Sequence, residues 1–534
     1  MRQNAAAILF TVNLYRFLIP YTDVGKEEMY YKVKTGNMLG LNSHLVEVEA
    51  DVSEGMPSMD LVGVLSAEVR ESKERVKTAL RNNGFHLPAR RITINLSPAD
   101  IKKYGTGFDL PIAVAILGCM EVVNEEDTDD MLFIGELGLS GELRGVNSIL
   151  PRVLMAKEHG IKKVIVSTEN MYEGSVVEGI DVIGLNSLRA VIEYINKEIE
   201  VLPAKEISDD VFAFSGSTEH DFSHIRGQEN VKRGLEIAAA GLHNILLIGP
   251  PGSGKTMSAM ALPSILPDLV MDECLEISKI HSVAGLLKGK TVITKRPFVD
   301  PHHTVSVMAM SGGGINPKPG AISLAHKGVL FLDEFPEFKP ETLEVLRQPL
   351  ESKRIVLSRS NVSYEYPADF LLVAAMNPCK CGYYPDRNRC SCSEIDVKKY
   401  LGRISGPLLD RIDICVSAKE IQYDKLSDPN VHEEKSEKIR ERVNIARQIQ
   451  ERRFKTEKIS TNSHMNSVQV EKYCPLGKRE SNILREVFAK LKLSARSYHK
   501  IIKTARTIAD LDQSEDIKER HLLEAVGYRG MYEL

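Results

Sequence analysis

The run Gly249-Pro250-Pro251-Gly252-Ser253-Gly254-Lys255-Thr256 joins a strand-like stretch to a helix-like one through glycines, a lysine and a hydroxyl. Glycines there let backbone N–H groups turn inward around phosphate oxygens at a helix N-terminus, where the helix dipole adds to the field. Lys255 suits the β- and γ-phosphates of a nucleoside triphosphate, and Thr256 suits its Mg²⁺. A second cluster, Asp333-Glu334, ends the apolar run Val329-Leu330-Phe331-Leu332. Asp333 suits the Mg²⁺ water shell and Glu334 the polarising of an attacking water. Asn377 ends the run from Phe370 to Met376, where it is placed to orient that water with Glu334, although an Asn before a proline is by itself an ordinary turn former. Together these residues spell ATP hydrolysis.

Cys379, Cys381, Cys390 and Cys392 form two close pairs around a loop rich in Asp, Arg, Asn and Pro. Thiolates in that pattern suit a tetrahedral Zn²⁺, with spacing tighter than the usual C-x₂-C; four reduced thiols in a loop is the alternative. His302 and His303 stand between proline-containing turns and read as hydrogen-bonding loop residues, not metal ligands.

The elements that must hold these groups follow from periodicity. Residues 244–248, 329–332 and 370–375 are continuous apolar runs separated by helical stretches, as a parallel sheet covered on both faces requires. Upstream, 44–65 and 90–96 alternate as strands, and 66–83 sets Val69, Val76 and Leu80 on one helical face. Beyond about residue 421 the pattern is helical, with Ile439, Val443, Ala446 and Ile449 on one stripe and Tyr498, Ile501, Ile502, Ala505 and Ile508 on another. The chain therefore divides into an extension at 1–28, read as non-native or disordered; an α/β domain at 29–200; an acidic linker at 201–223; a P-loop core at 224–420; and a helical lid at 421–534.

With 534 residues, 43% of them hydrophobic, the chain has material for two or three cores. Net charge is −4, so no overall basic excess announces nucleic acid, and such contact must come from local patches or a channel. The other four of the eight cysteines are scattered, which fits a reducing cytoplasm better than a disulfide framework. No stretch reaches the ~18 continuous apolar residues of a membrane span.

GPPGSGKT, VLFLDE and the Asn-ended strand resemble an AAA+ module, with an α/β P-loop core and a helical lid. "SGPLLDRID" at 405–413 resembles the segment carrying an arginine finger, which puts Arg411 at the neighbouring subunit's γ-phosphate and leaves Arg403 as a weaker candidate; a surface salt bridge is the alternative. Arg496, in "LSARSYHKIIKTARTIADL", resembles a sensor-2 arginine. Longer blocks, "RPFVDPHHTVS", "GGGINPKPGAISLAHKGVLFLDE" and "NPCKCGYYPD", resemble the YifB/ComM family, magnesium-chelatase-like, over about residues 29–530. "FIGELGLSGELRGV" (133–146) resembles the Lon-protease fold. Carried over residue by residue, the serine of the Lon dyad falls at Asp109 and its lysine at Leu150, which implies a non-proteolytic α+β domain.

The resemblance implies a Mg²⁺-ATP-driven homo-hexameric ring that acts on single-stranded or branched DNA without sequence preference, as a helicase or branch-migration motor during natural transformation. Two elements suit its pore: the segment around 297–320, and 354–367, two alternating strands around Ser360-Asn361 with Arg359 near the tip. A chelatase-type motor driving a partner complex and a protein remodeller stay open as alternatives.

Overall fold

The computed structural model describes residues 29–204, 220–287, 291–314, 316–359, 362–420, 433–490 and 494–529. The expected extension at 1–28, the middle of the linker, Ser360-Asn361 and the side chain of Arg359 lie outside the described residues.

The N-terminal unit is a mixed sheet. β1 (Met29–Leu39) and β2 (Asn42–Ser53) form a long antiparallel hairpin, flanked by β3 (Ser58–Val62) and β4 (Arg91–Ser97) on one side and by β5 (Met131–Phe133), β6 (Lys163–Ser167) and β7 (Asp181–Leu185) on the other. The order is β3-β4-β2-β1-β5-β6-β7, and β5 to β7 run parallel. Alternation sets the register: Val46, Val48, Ala50 and Val52 of β2 all point into the core. Helix α1 (Ala67–Asn82) buries Val69, Val76, Ala79 and Leu80, the face that its 3.6-residue period predicts. Helix α2 (Asp109–Cys119) is buried at every residue, and Gly118 is required where the Tyr31 ring crosses it, since a Cβ there would lie 2.2 Å from that ring. Helix α3 (Ile149–Glu158) bridges β5 and β6.

In the second unit, α4 (Glu229–Gly241) precedes β8 (Ile245–Ile248), and helix α5 (Lys255–Ala261) follows the glycine-rich loop. α6 (Met271–Ala284), β9 (Phe298–Val299) and β10 (Val329–Leu332) come next, then α7 (Arg347–Ser352), the hairpin β11 (Arg354–Arg359) and β12 (Val362–Pro367), β13 (Leu371–Met376) and β14 (Ile414–Ser417). The sheet order is β9-β10-β13-β8-β14, all parallel. The three central strands are buried at every residue, which is why they read as unbroken apolar runs. Phe222 is buried in this second core, so the second unit starts before His224.

The C-terminal helices α8 (Ser436–Arg453), α9 (Ala495–Leu511) and α10 (Glu519–Gly527) do not cover the glycine-rich loop. Ile439, Val443, Ala446, Ile501, Ala505 and Ile508 share one core with Leu235 of α4, Ile245 and Val416. Lys500 reaches Asp413 at 2.8 Å, and Arg529 donates to the Ile412 carbonyl at 2.6 Å, both at the N-terminal edge of β14. The apolar stripe of α9 is buried against α4.

The two units share apolar surface. Tyr364 and Tyr366 of the hairpin pack with Leu41 at the β1–β2 turn and with Ile280 and Val283 of α6. Cys274 and Val292 complete the core around α3. Polar ties cross the same boundary: Lys279 donates to Asn42 Oδ1 at 2.9 Å, and the Ser282 hydroxyl to Glu173 Oε1 at 2.5 Å.

At the Lon-dyad positions stand a buried Leu150 and an Asp109 with no exposed surface, bonded by Arg75 Nε at 2.7 Å and Nη2 at 3.0 Å. Burial raises the Asp109 carboxyl above its ordinary value and Arg75 offsets part of that. Removing one partner of such a pair strands the other charge. Arg75→Met is expected to destabilise the N-terminal unit by about 3 kcal/mol, and Arg75→Met/Asp109→Asn to recover part of the loss, as read by urea denaturation.

Candidate active site

Parallel pairing brings the C-terminal ends of β10, β13 and β8 side by side, and the residues that follow them meet in one pocket. Its volume is about 370 Å³, walled by residues 251–257, Asp333, Glu334, Met376 and Asn377. Gly252 and Gly254 lie at φ +74° and +81°, the left-handed region that lets the loop curl, and Ser253 between them is buried.

The Lys255 amine donates to the carbonyls of Gly249 and Pro250, each at 2.9 Å, and to Asn377 Oδ1 at 3.2 Å. Burial lowers its pKa, and the Asp333 carboxylate offsets part of the effect. Thr256 Oγ1 donates to Asp333 Oδ2 at 2.7 Å, while Asp333 Oδ1 accepts the Glu334 N–H at 2.8 Å. A hydroxyl and a carboxylate in contact beside a phosphate-sized cradle are a fitting donor pair for Mg²⁺. Burial, followed by Asp333, raises the Asp300 carboxyl above its ordinary value on the same rim.

Sequence reasoning missed two participants. Gln228, at φ +60° on the head of α4, donates to the carbonyls of Ser253 at 2.9 Å and Lys419 at 2.5 Å, tying the loop to the end of β14. The other is His303, whose Nδ1 stands 3.1 Å from Glu334 Oε2, with the His302 ring 4.1 Å from its own. His302 does bond as a loop residue, pairing with Thr304 at 2.8 Å. The partner of His303 could not be read from a one-dimensional pattern, because it lies on another strand's end. Glu334 itself is non-glycine at φ +50°, a backbone held against its preference.

The four thiols of the knuckle converge, with their sulfurs all within 4.8 Å of one another. Cys379 Sγ lies 3.3 Å from Cys381 Sγ and 3.7 Å from Cys390 Sγ. Metal–sulfur bonds of about 2.3 Å in a tetrahedron require S···S separations of about 3.8 Å, so the thiols fit one metal ion. The Tyr383 backbone and the neighbouring thiols draw Cys381 down to about 6. The knuckle leans on the glycine-rich loop: a Cβ at Gly382 would come 2.5 Å from Pro251 Cδ.

The arginines lie elsewhere. Asn244 Nδ2 donates to the Arg411 carbonyl at 3.0 Å, at the opposite end of β8 from the loop. At about 3.3 Å per residue, the strand puts roughly 13 Å between Arg411 and its own pocket. The Arg411 side chain, 11% exposed, folds onto Glu351 of α7, and Arg496, 65% exposed, stands 3.7 Å from the same carboxylate. Arg496 is therefore not at its own chain's loop, which follows from the docking of α9 behind the sheet. Arg403 pairs with Glu337 at 2.7 Å.

Comparison with known proteins places residues 221–426 in the family described as magnesium chelatase, subunit ChlI. Residues 48–170 match subunit ChlI of Mg-chelatase, and 433–529 its C-terminal part. The chain is 41% identical to the competence protein ComM of Haemophilus influenzae, over 93% of this chain and 96% of that one. It is 42% identical to YifB of Escherichia coli, over 93% and 97%. The magnesium-chelatase 38 kDa subunit of Rhodobacter capsulatus is 29% identical over 174 residues, 29% of this chain and 50% of that one. Among the described residues no helix is long and apolar enough to cross a membrane.

His303 stands 3.1 Å from the Glu334 carboxylate and limits the directions in which it can turn. His303→Ala is expected to raise basal ATP turnover on the order of threefold with KM for ATP unchanged, in a steady-state phosphate-release assay.

Proposed function

This chain belongs to the YifB/ComM family of magnesium-chelatase-like AAA+ proteins, and on that premise we propose that it is a ring-forming, ATP-hydrolysing motor that moves on DNA. The observation that carries the reading is the division of the catalytic set: Lys255, Thr256, Asp333, Glu334 and Asn377 share one pocket, while Arg411 and Arg496 sit at the far end of the sheet. Cations placed there serve a pocket only when a second copy presents them, so assembly and hydrolysis are coupled. Lys255 and the loop N–H groups hold the phosphates, and Thr256 and Asp333 would hold Mg²⁺, which would supply charge neutralisation at the terminal phosphate. Glu334 draws a proton from the attacking water, with Asn377 fixing the water's orientation. Arg411 leaves Glu351 to reach the neighbour's γ-phosphate, and Arg496 supports it.

DNA is the substrate track that the pore elements suit. The hairpin 354–367 forms with Arg359 opposite Val362 at its end. A ring of six such tips gathers enough positive charge for a phosphate backbone, although the chain carries −4 overall. The name of the Haemophilus relative ties that protein to competence, which favours helicase or branch-migration work on recombination intermediates during natural transformation. Localisation is cytoplasmic, and the N-terminal unit is a non-proteolytic collar. A chelatase-type motor driving a partner complex is the second reading, favoured by the match to the Rhodobacter subunit, which covers only 29% of the chain.

Two experiments test these assignments. ATPase is expected to rise with single-stranded or branched DNA, with affinity falling steeply in added salt. Glu334→Gln and Arg411→Ala, each without turnover alone, are expected to regain activity when mixed. Turnover indifferent to DNA moves the reading to the partner motor, and failure of mixing removes the shared site. The knuckle is the place for one Zn²⁺ per chain; metal analysis of freshly reduced protein is expected to find it in wild type and to lose it in Cys390→Ser.

A further inference from the structure

A second cavity is larger than the nucleotide pocket. It lies between the two units and holds about 700 Å³, the volume of a metabolite site. Gly107, Asn170 and Glu173 wall it from the N-terminal unit, Ser282 and Lys318 from the second unit, and Arg152 of α3 from behind.

Arg152 is a buried cation that no carboxylate hydrogen-bonds among the described residues, although Glu173 lies near enough to act on it through space. It is 4% exposed, its Nη1 donates to the Asn147 carbonyl at 3.1 Å, and its Nε, also buried, has no partner. Burial pulls its pKa down to about 10 and the Glu173 carboxylate offsets only part of that, so the lost hydration is not fully replaced. The flank toward the cavity is bare because residue 107 is glycine: a Cβ there would lie 3.5 Å from Nη1 and 3.7 Å from Nη2.

Three carboxylates also border the space, and two are already engaged. Glu173 Oε1 accepts the N–H groups of Ile149 and Leu150 at 3.0 Å and the Ser282 hydroxyl, and Glu169 accepts the Gly145 N–H at 3.2 Å. Glu136 faces the Arg75 side of the wall. Their field disfavours a polyanion and leaves room for a ligand carrying one small oxyanion. A guanidinium edge with unspent N–H groups is the group that such an oxyanion fits best.

We propose that this cavity binds a metabolite-sized ligand through a single carboxylate or phosphate group held by Arg152. Lys318 at the wall draws the anion in, and a ligand seated there touches both units at once. The site is separate from the nucleotide pocket and owes nothing to the proposed motor activity.

Thermal unfolding of full-length Lys255→Ala protein tests it, since that background keeps phosphate off the glycine-rich loop. Chloride is replaced stepwise by sodium acetate or by sodium phosphate at constant ionic strength. A saturable rise of about 3 °C or more is expected with one of them. A rise with acetate identifies a carboxylate ligand, and one with phosphate alone a phosphate monoester. Arg152→Met and, separately, Gly107→Ala are expected to abolish the saturable part. Gly107→Ala keeps the charge, and its Cβ makes contacts of 3.4 Å or longer, so it reports on the site even where Arg152→Met unfolds. A rise that persists in Gly107→Ala or Arg152→Met, or no saturable rise with either anion, overturns the proposal.

Discussion

A lysine amine taken out of water at the end of a parallel strand must find acceptors, and Lys255 finds them in the Gly249 and Pro250 carbonyls and Asn377 Oδ1. That bonding draws together the loop after β8 and the end of β13. It is possible only because β13 is inserted between β8 and β10 in the sheet, so the sequence order of the strands is not their order in space. Thr256 and Asp333 then join the loop to β10 by a second bond. The pocket is therefore closed on three strand ends by side chains whose ordinary partners are a phosphate and a metal ion. Substrate would replace bonds that the protein makes with itself, and the cost of pre-ordering these groups has been met in folding.

The same logic of satisfied burial fixes the boundary between the units. Glu173 is 8% exposed and collects two backbone N–H groups of α3 together with the Ser282 hydroxyl of α6. Tyr366, fully buried, donates its hydroxyl to the Pro317 carbonyl at 2.6 Å. The hairpin that carries Arg359 is thus anchored at its base in both units.

Much of this was legible in the sequence, for definite reasons. The strands at 245–248, 329–332 and 371–376 are buried on both faces, so burial and apolar run coincide. The glycine-rich loop is legible because its chemistry demands adjacent residues. β9, two residues long, is too short to leave a period. Docking of the C-terminal helices was illegible for another reason: an amphipathic stripe says that a face is buried, never against what. The C-terminal helices pack against α4, and Arg496 stands beside Glu351. Gln228 and His303 act through backbone carbonyls and a carboxylate far away in sequence, and nothing local marks such partners.

His303 also gives the sheet edge a consequence for chemistry. β9 is the outermost strand, paired only to β10 among the described residues, and the segment that follows it within 297–320 carries His303 back over the end of β10. Glu334 is left-handed there, with its N–H on Asp333 Oδ1 and its carboxylate on His303. A strained residue persists where its surroundings over-determine it. Of those surroundings, Asp333 sits on a central strand locked on both sides, whereas His303 hangs from an edge held by two residue pairs. The Glu334 carboxylate thus meets, 3.1 Å away, a histidine that follows the least-paired strand of the sheet, while its backbone follows one of the most firmly paired.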